Sequence, residues 1–180
     1  LGTPGWVEAA TAVAVSGTDI YVTGTGGWSP QFPITPGAYH YPGGYLFAVK
    51  LSPMGNALNY SAVLPGTYSY GIAANQSGSA FITGSVYSPP FPTTPGAIQD
   101  DSYISDYVTG WAASLSSDGS ALLYSTILGG RTTLGGGTSA MTEGRAIAVD
   151  ATGRAWVTGV TDAVDFPTTP GAFQPALANG

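Results

Sequence analysis

Phe166-Pro-Thr-Thr-Pro-Gly-Ala172 is the third copy of a seven-residue segment that we call the proline motif. The first copy spans residues 32–38, with Ile34 in place of the first threonine, and the second spans residues 91–97. Each copy follows a strand-like stretch that ends in Thr-Gly. The chain therefore repeats one supersecondary unit, and this repeat predicts the architecture.

The repeat keeps its length within the predicted strands and varies in the loops. Val13, Ile72 and Ile147 each precede the phenylalanine of a proline motif by 19 positions. The period is 59 residues from the first motif to the second and 75 from the second to the third. Insertions in residues 98–108 and 131–145 account for the difference. We expect these two segments to be the least regular parts of the chain, because loops tolerate length changes that a packed core does not.

Each complete unit is predicted to contain four short strands. The proline motif cannot be a central strand, because proline lacks the N–H that a sheet requires. Asp118-Gly119, between two apolar runs, is typical of a hairpin turn. The predicted strands are 12–15, 21–24, 46–51 and 58–64 in the first unit, 71–74, 81–84, 112–115 and 122–128 in the second, and 146–149 and 155–160 in the third. The first strands are rich in alanine and glycine, which suits the crowded centre of a radial array of sheets.

These strands divide the chain into repeat units at residues 1–66 and 67–130 and a partial unit at 131–180, which together form one domain or part of one. Leu1-Gly2 matches the end of a preceding Leu-Gly-Gly. We predict an all-β, propeller-like array of four-stranded antiparallel blades that is incomplete within this chain. The partial unit contains strands one and two, so its second strand would present an open edge that attracts another chain. That assembly edge is Ala155, Trp156, Val157, Thr158, Gly159 and Val160.

The composition excludes several classes of protein. The chain has 180 residues, a net charge of −6 and four basic residues, which disfavours nucleic-acid binding. It contains no cysteine for disulfides or thiolate metal sites, and it has no apolar run long enough to span a membrane. Charged residues are 8% of the chain, well below the usual share, and such a composition favours an extracellular or cell-surface protein.

Two stretches carry a resemblance to a known family. They are Asp150 to Gln174, with Val157-Thr158-Gly159 and the third proline motif, and Leu123-Tyr-Ser-Thr-Ile-Leu-Gly-Gly130. At these residues the chain resembles the bacterial and archaeal seven-bladed β-propeller repeat family (SBBP-type repeats), over about two and a half repeats. The resemblance implies a secreted or surface-exposed repeat module, and it carries no catalytic residues to this chain.

Few side chains favour chemistry. His40 aligns by sequence with Gln99 and Gln174, so we interpret it as a polar loop residue rather than a catalytic base. Asp162 and Asp165 flank the third proline motif and are interpreted as turn residues. The two glutamates, Glu8 and Glu143, do not indicate the paired carboxylates of a glycosidase, and Glu143 is placed in the second insertion.

Two groups of residues are candidates for binding. Asp100, Asp101 and Asp106 lie in the first insertion, where carboxylate oxygens could hold Ca²⁺, although a solvated acidic loop explains them as well. No other cofactor is predicted. The aromatic residues around Pro-Gly turns could stack on sugars or pack on the prolines, and they are Trp28, Tyr39, Tyr41 and Tyr45.

The sequence favours a secreted, non-enzymatic structural or interaction module that assembles into a surface assembly or fibre. Its partners would be copies of itself, or a missing part of the same polypeptide, that complete the unfinished blade by strand addition. A carbohydrate-binding or adhesive module is one alternative. The other is a fragment of a larger extracellular propeller enzyme with its active site elsewhere.

Overall fold

The computed structural model describes residues 7–27, 29–105 and 107–177. In this part of the chain no helix is long and apolar enough to cross a membrane. The strands are β1 (Ala9–Ser16), β2 (Asp19–Thr25), β3 (Leu46–Leu51), β4 (Leu58–Leu64), β5 (Tyr68–Ala74), β6 (Ala80–Val86), β7 (Thr109–Leu115), β8 (Leu122–Leu128), β9 (Thr142–Val149) and β10 (Ala155–Thr161). A short 3-10 turn, Asp101–Tyr103, lies between β6 and β7.

The strands form three antiparallel sheets, one in each repeat unit. The first sheet has the order β1-β2-β3-β4 and the second the order β5-β6-β7-β8. The third sheet pairs β9 with β10. The fold is therefore all-β, and each strand pairs with its neighbour in sequence, as short turns between antiparallel strands allow.

Every predicted strand is found, and where the bounds differ the observed strand is longer than predicted, at its start, its end or both. The predictions for β3, β4 and β8 match the observed bounds. The prediction for β7 was too short, because the strand begins at Thr109 rather than at residue 112. The prediction for β9 was also too short, since this strand begins at Thr142. Glu143 and Arg145 therefore lie in a strand and not in the second insertion, because pairing with β10 outweighs the polar, glycine-containing local sequence.

Each sheet has the same irregularity where its first two strands pair. A bulge shifts the register between Ala10 and Ala12 in β1, and the same shift recurs in β5 and β9. The Thr-Gly glycine of the second strand lies directly against the bulged strand. A Cβ atom on Gly159 would collide with the carbonyl oxygen of Glu143, and Gly24 and Gly84 face equivalent carbonyls. The third unit therefore has the local geometry of the complete units.

Successive sheets pack through their first strands. The Thr11 hydroxyl on β1 lies 3.2 Å from the Ser69 hydroxyl on β5, and the Ser16 hydroxyl donates to Asn75 O at 2.9 Å. Gly71 on β5 approaches β9 so closely that an added Cβ would lie 3.0 Å from the Ala146 Cα. Small residues in the first strands are required by this close approach.

The proline motif forms the same turn three times. In each copy the alanine N–H donates to the carbonyl of the second threonine, at 3.1, 3.0 and 3.0 Å. The intervening glycines, Gly37, Gly96 and Gly171, have φ of 80°, 84° and 85°. In the first two units the motif leads from the second strand to the third, as the sequence predicts.

Candidate functional site

The strand β10 has one open edge. Its counterparts β2 and β6 each pair with two strands, whereas β10 pairs with β9 alone among the described residues. The structure places all six predicted edge residues in this strand. Trp156 is 62% exposed, and neither lysine nor proline interrupts the edge. An edge of this kind offers unpaired N–H and C=O groups to an added strand.

An open groove of about 570 Å³ runs beside this edge. One wall is β10, the opposite wall is the face of the second sheet, and Phe166 of the proline motif lies at the groove as well. The β10 residues that line the groove are Ala155 and residues 157–161, with Ala155, Val157 and Gly159 facing the second sheet, and the lining residues of the second sheet are Ala112, Tyr124, Thr126 and Leu128. The groove is therefore mostly apolar and accessible from solvent.

The same positions at the junction between the first and second sheets are filled. Ala80, Ile82, Gly84 and Phe91 correspond to the β10 wall and Phe166, and Ala48, Tyr60, Ala62 and Leu64 correspond to the other wall. Apart from the glycine, these residues belong to one buried cluster with Trp111, Ala113 and Leu115 of β7 and Ile127 of β8. Trp111 is 1% exposed. The described residues of the third unit include no counterpart of β7 or β8. The groove therefore occupies the space that side chains of these two strands fill at the first junction.

Phe32 and Phe91 each pack on an aromatic ring of the third strand, but Phe166 has no such partner among the described residues. Phe32 stacks on Phe47 of β3 with ring centroids 5.1 Å apart. Phe91 packs on Trp111 of β7 at 5.4 Å. Among the described residues no ring packs against Phe166, which instead lines the groove.

Thr158 likewise lacks the acceptor used by its counterparts. The Thr23 hydroxyl donates to Phe47 O at 2.8 Å, and the Thr83 hydroxyl donates to Trp111 O at 2.6 Å. Both bonds are buried and join the second strand to the aromatic residue of the third strand. Thr158 is exposed, and the described chain supplies no third strand beside it.

The proline motif holds the fourth strand in both complete units. Thr35 N–H donates to Ser61 O at 3.3 Å, and Ser61 N–H returns a bond to the Thr35 hydroxyl at 2.9 Å. Thr94 makes the same pair of bonds with Ser125, at 3.0 and 2.9 Å. Thr169 is the third counterpart, and it is exposed with no fourth strand to hold in the described chain.

The alignment of His40 with Gln99 is wrong by one residue in the structure. Val63 N–H of β4 donates to Tyr39 O at 2.9 Å, whereas the equivalent Ile127 N–H of β8 donates to Gln99 O at 3.0 Å. Tyr39, not His40, therefore occupies the place of Gln99. The loop between the proline motif and the third strand differs in length between the two units, so sequence offsets lose the register there. His40 is exposed on the outer side of β4.

Asp162 and Asp165 bind the second insertion to the end of β10. The Asp165 carboxylate accepts from Thr132 N–H at 2.9 Å and from Arg131 N–H at 3.0 Å. Partial burial raises the pKa of Asp165, but the Thr132 and Arg131 N–H groups outweigh it and leave the pKa below its usual value. The Asp162 carboxylate accepts from Met141 N–H at 2.6 Å. These residues are more than turn formers, because they connect segments about 20 to 34 positions apart.

Of the three calcium candidates, Asp100 caps a 3-10 turn and does not face a metal site within the described part of the chain. Asp100 accepts from the Ser102 N–H and hydroxyl at the start of the 3-10 turn, and these bonds lower its pKa. Asp101 is the first residue of that turn, and Asp106 lies outside the described residues. Within the described chain, no three His, Cys, Asp or Glu side chains group closely enough to hold a metal ion.

The predicted sugar-stacking residues divide between two environments. Tyr39 is half-buried against the core cluster, and its N–H donates to Gly119 O of the second sheet at 2.7 Å. Tyr41 and Tyr45 line a cleft of about 370 Å³ between the first two units, together with Pro89 and Pro90. Trp28, like Leu1-Gly2, lies outside the described residues.

The sequence did not predict a surface that four tyrosines form together. Tyr68 packs on Tyr70 and Tyr87, and Tyr87 continues to Tyr107, with ring centroids 5.9 to 6.4 Å apart. Arg145 lies over the Tyr70 ring at 5.6 Å and forms an ion pair with Glu143. These residues come from β5, from the connection between β6 and β7, and from β9. The repeat gave no signal for them, because they do not recur at equivalent positions.

Comparison with models of known protein families finds no match, and comparison with curated proteins finds no similar protein. The function is therefore argued from the groove and from the filled junction between the first and second sheets.

Proposed function

We propose that this chain is a secreted, non-enzymatic interaction module of the propeller-repeat type that assembles by completing its third sheet with strands from a neighbouring copy. The observation that carries the proposal is the open edge of β10 beside an apolar groove. Edge strands that are long, apolar and free of lysine or proline are the usual sites of strand addition.

The propeller arrangement is supported by how the sheets meet. The first strands β1, β5 and β9 pack side by side through alanine, glycine, serine and threonine, as the inner strands of blades do. The large aromatic residues of the buried core, Tyr21, Tyr60 and Trp111, lie on the later strands, where blades diverge. The resemblance to the seven-bladed repeat family agrees with this arrangement.

The groove also favours binding over catalysis. The ionisable side chains that line it are Tyr124, whose pKa is raised by burial, and Glu143, which is paired with Arg145. General acid–base chemistry requires a positioned pair of proton-transfer groups, and nucleophilic catalysis requires a base beside the nucleophile. Apolar walls and an open strand edge are features of a recognition surface. The low share of charged residues, 8% of the chain, supports a location outside the cell.

Self-association of the chain tests the proposal. Analytical ultracentrifugation should show an association that rises with concentration, because each copy presents the same open edge. Val157→Asp places a charge on the groove wall and should abolish the association. Leu123→Asp is the matched control, since Leu123 is an exposed apolar residue of β8 outside the groove. A chain that stays monomeric at all concentrations, with rapid amide exchange along β10, would refute the assembly.

A carbohydrate-binding module is the second candidate. The cleft beside Tyr41 and Tyr45 and the exposed Tyr68–Tyr87–Tyr107 surface both offer aromatic faces next to polar groups. A glycan array is the direct measurement. Binding that is lost in Tyr45→Ala but not in Tyr87→Ala would assign the cleft, and the reverse result would assign the tyrosine surface. Absence of any glycan signal would remove this candidate.

A further inference from the structure

We infer that the groove recognises a β-hairpin of this repeat's own pattern, whose first strand places an aromatic residue opposite Gly159 and against Phe166. This inference rests on the strand addition proposed above and specifies what is added. It follows from the contacts that the two complete units make at the same positions.

Three contacts converge on one residue in each complete unit. Phe47 pairs across the strands with Gly24, stacks on Phe32 and accepts a hydrogen bond at its carbonyl from Thr23. In the second unit, Trp111 makes the equivalent three contacts, with its ring tilted by 39° against that of Phe91.

The Trp111 partners are Gly84, Phe91 and Thr83. Their counterparts in the third unit are Gly159, Phe166 and Thr158, and all three line the groove. A single aromatic residue of the occupant would therefore satisfy all three. A ring beside a strand glycine also covers backbone that the glycine leaves exposed.

The register between β6 and β7 predicts which residue types the added strand carries at every second position. Ile82 pairs with Ala113, and Ala80 pairs with Leu115. The corresponding β10 residues are Val157 and Ala155. The first unit has Val49 and Leu51 at these two positions. The occupant therefore carries an alanine- or valine-sized residue two positions after its aromatic residue and a leucine-sized residue four positions after it.

A single strand would leave the proline motif unsatisfied, so the occupant has two strands. Thr35 and Thr94 each exchange two backbone-directed hydrogen bonds with a serine of the fourth strand. Gln99 adds two more, to Gly129 N–H and O, at 2.9 and 2.8 Å. Thr169 and Gln174 are exposed in the same positions of the third unit. A second strand that presents a serine to Thr169 completes these bonds.

The hairpin is supplied from outside the described residues. Residues 162–177 follow β10, and none of them forms a strand on its open edge. A single unrelated β-strand and an apolar small molecule are the competing occupants, and the experiment separates them from the hairpin.

The probe is a synthetic peptide with the sequence Thr109–Leu128 of this chain, labelled for fluorescence anisotropy and added to the intact protein. We expect saturable binding and slower hydrogen exchange of the amides in residues 155–161. Replacing Trp111 by serine in the peptide should weaken binding more than about tenfold, because a buried aromatic side chain is lost. In the protein, Phe166→Ala should weaken it about three- to tenfold through the lost ring contact. Thr158→Val should weaken it about fivefold, the effect of one net hydrogen bond.

The outcomes separate this inference from the proposed assembly. Equal binding of the parent peptide, its serine variant and an unrelated strand-forming peptide would overturn the hairpin pattern while leaving strand addition in place. Binding of the parent peptide by a protein that never self-associates would overturn the assembly and support the hairpin pattern. If neither peptide binding nor self-association occurs, both ideas are wrong. Uptake of an apolar dye with no protection of residues 155–161 would identify the groove as a small-molecule pocket and overturn the inference.

Discussion

The junction between the first and second sheets and the junction between the second and third are lined by equivalent residues, but they differ in what lies between them. In the first junction, side chains of β7 and β8 fill the space and bury the walls. In the second, the walls surround a groove of about 570 Å³. The third unit retains the bulge, the close glycine and the proline turn of its counterparts. Its local geometry therefore does not depend on the third and fourth strands.

This difference separates local from long-range determinants of a repeat. Turn residues and the bulge fix the shape of each half-unit. Burial of the proline-motif phenylalanine and of the second-strand threonine depends on the next two strands. Positions that are buried in one copy and exposed in another therefore mark where the third unit differs from the complete units. The following substitutions test this comparison.

Trp111→Ala should have the largest effect. It removes the side chain that fills the first junction, and truncation of a buried tryptophan costs about 3–5 kcal/mol of unfolding free energy. Trp156→Ala, on the exposed face of the unfinished sheet, should change it by less than about 0.5 kcal/mol. Urea unfolding of both variants measures the contrast. Similar losses in the two variants would show that Trp156 is as tightly packed as Trp111 despite its exposure.

The equivalent turn glycines Gly55 and Gly119 give the next effect. Both have positive φ, 68° and 73°, so alanine costs about 1–2 kcal/mol at either site. A Cβ on Gly119 would also collide with the Tyr60 ring of the first sheet, while a Cβ on Gly55 meets open space. Gly119→Ala should therefore lose about 1–3 kcal/mol more than Gly55→Ala. Equal losses in chemical unfolding would mean that Tyr60 moves aside without cost.

Thr83→Val and Thr158→Val compare the two threonines. Thr83 donates a buried hydrogen bond to Trp111 O, and loss of this bond should cost about 0.5–1.5 kcal/mol of unfolding free energy. Thr158 is exposed, so its replacement should leave the stability of the isolated chain unchanged within about 0.5 kcal/mol. Thermal unfolding of the two variants, each against the parent chain, provides the measurement. A large loss in Thr158→Val would indicate that this hydroxyl already has a structural partner.

The sequence predicted the strands and their grouping because the repeat supplies three copies of the first two strands and two copies of the third and fourth. Strands β3, β4 and β8 lie between strong turn residues, so their bounds were correct. The start of β9 was missed because Thr142-Glu143-Gly144 resembles a loop by composition and becomes a strand through pairing with β10.

The site was predicted only in part. The open edge followed from the repeat, since a second strand without a third is visible in the sequence. The groove could not be predicted from the sequence, because one of its walls is formed by Tyr124 and Leu128 of the second sheet, which are distant from β10 in the chain. The tyrosine surface and the Asp165 contacts also arise from residues far apart in the chain. No local pattern reports such contacts.

The smallest expected effect concerns the connection between the second and third sheets, which is long and held by Asp165. The connection between the first and second sheets has no such insertion. Because folding lowers the Asp165 pKa, the carboxylate contacts stabilise the folded chain at pH values above the ordinary aspartate pKa of about 3.9. That contribution is lost as pH falls through the lowered folded value.

The Arg131 and Thr132 amide chemical shifts, followed by NMR from pH 6 downwards, should therefore move at a pH below the ordinary aspartate value. In Asp165→Asn the same shifts should not titrate, and protection of both amides should be reduced at neutral pH, because an uncharged amide oxygen is a weaker acceptor than a carboxylate. Control amides at Ser52 and Ala57, in the turn of the first sheet, should be unaffected by the substitution. Titration at the ordinary aspartate pKa would contradict the assignment. It would mean that these N–H groups do not hold the carboxylate, and that the insertion is attached to β10 through Asp162 and the Val164 N–H bond to Thr132 O instead.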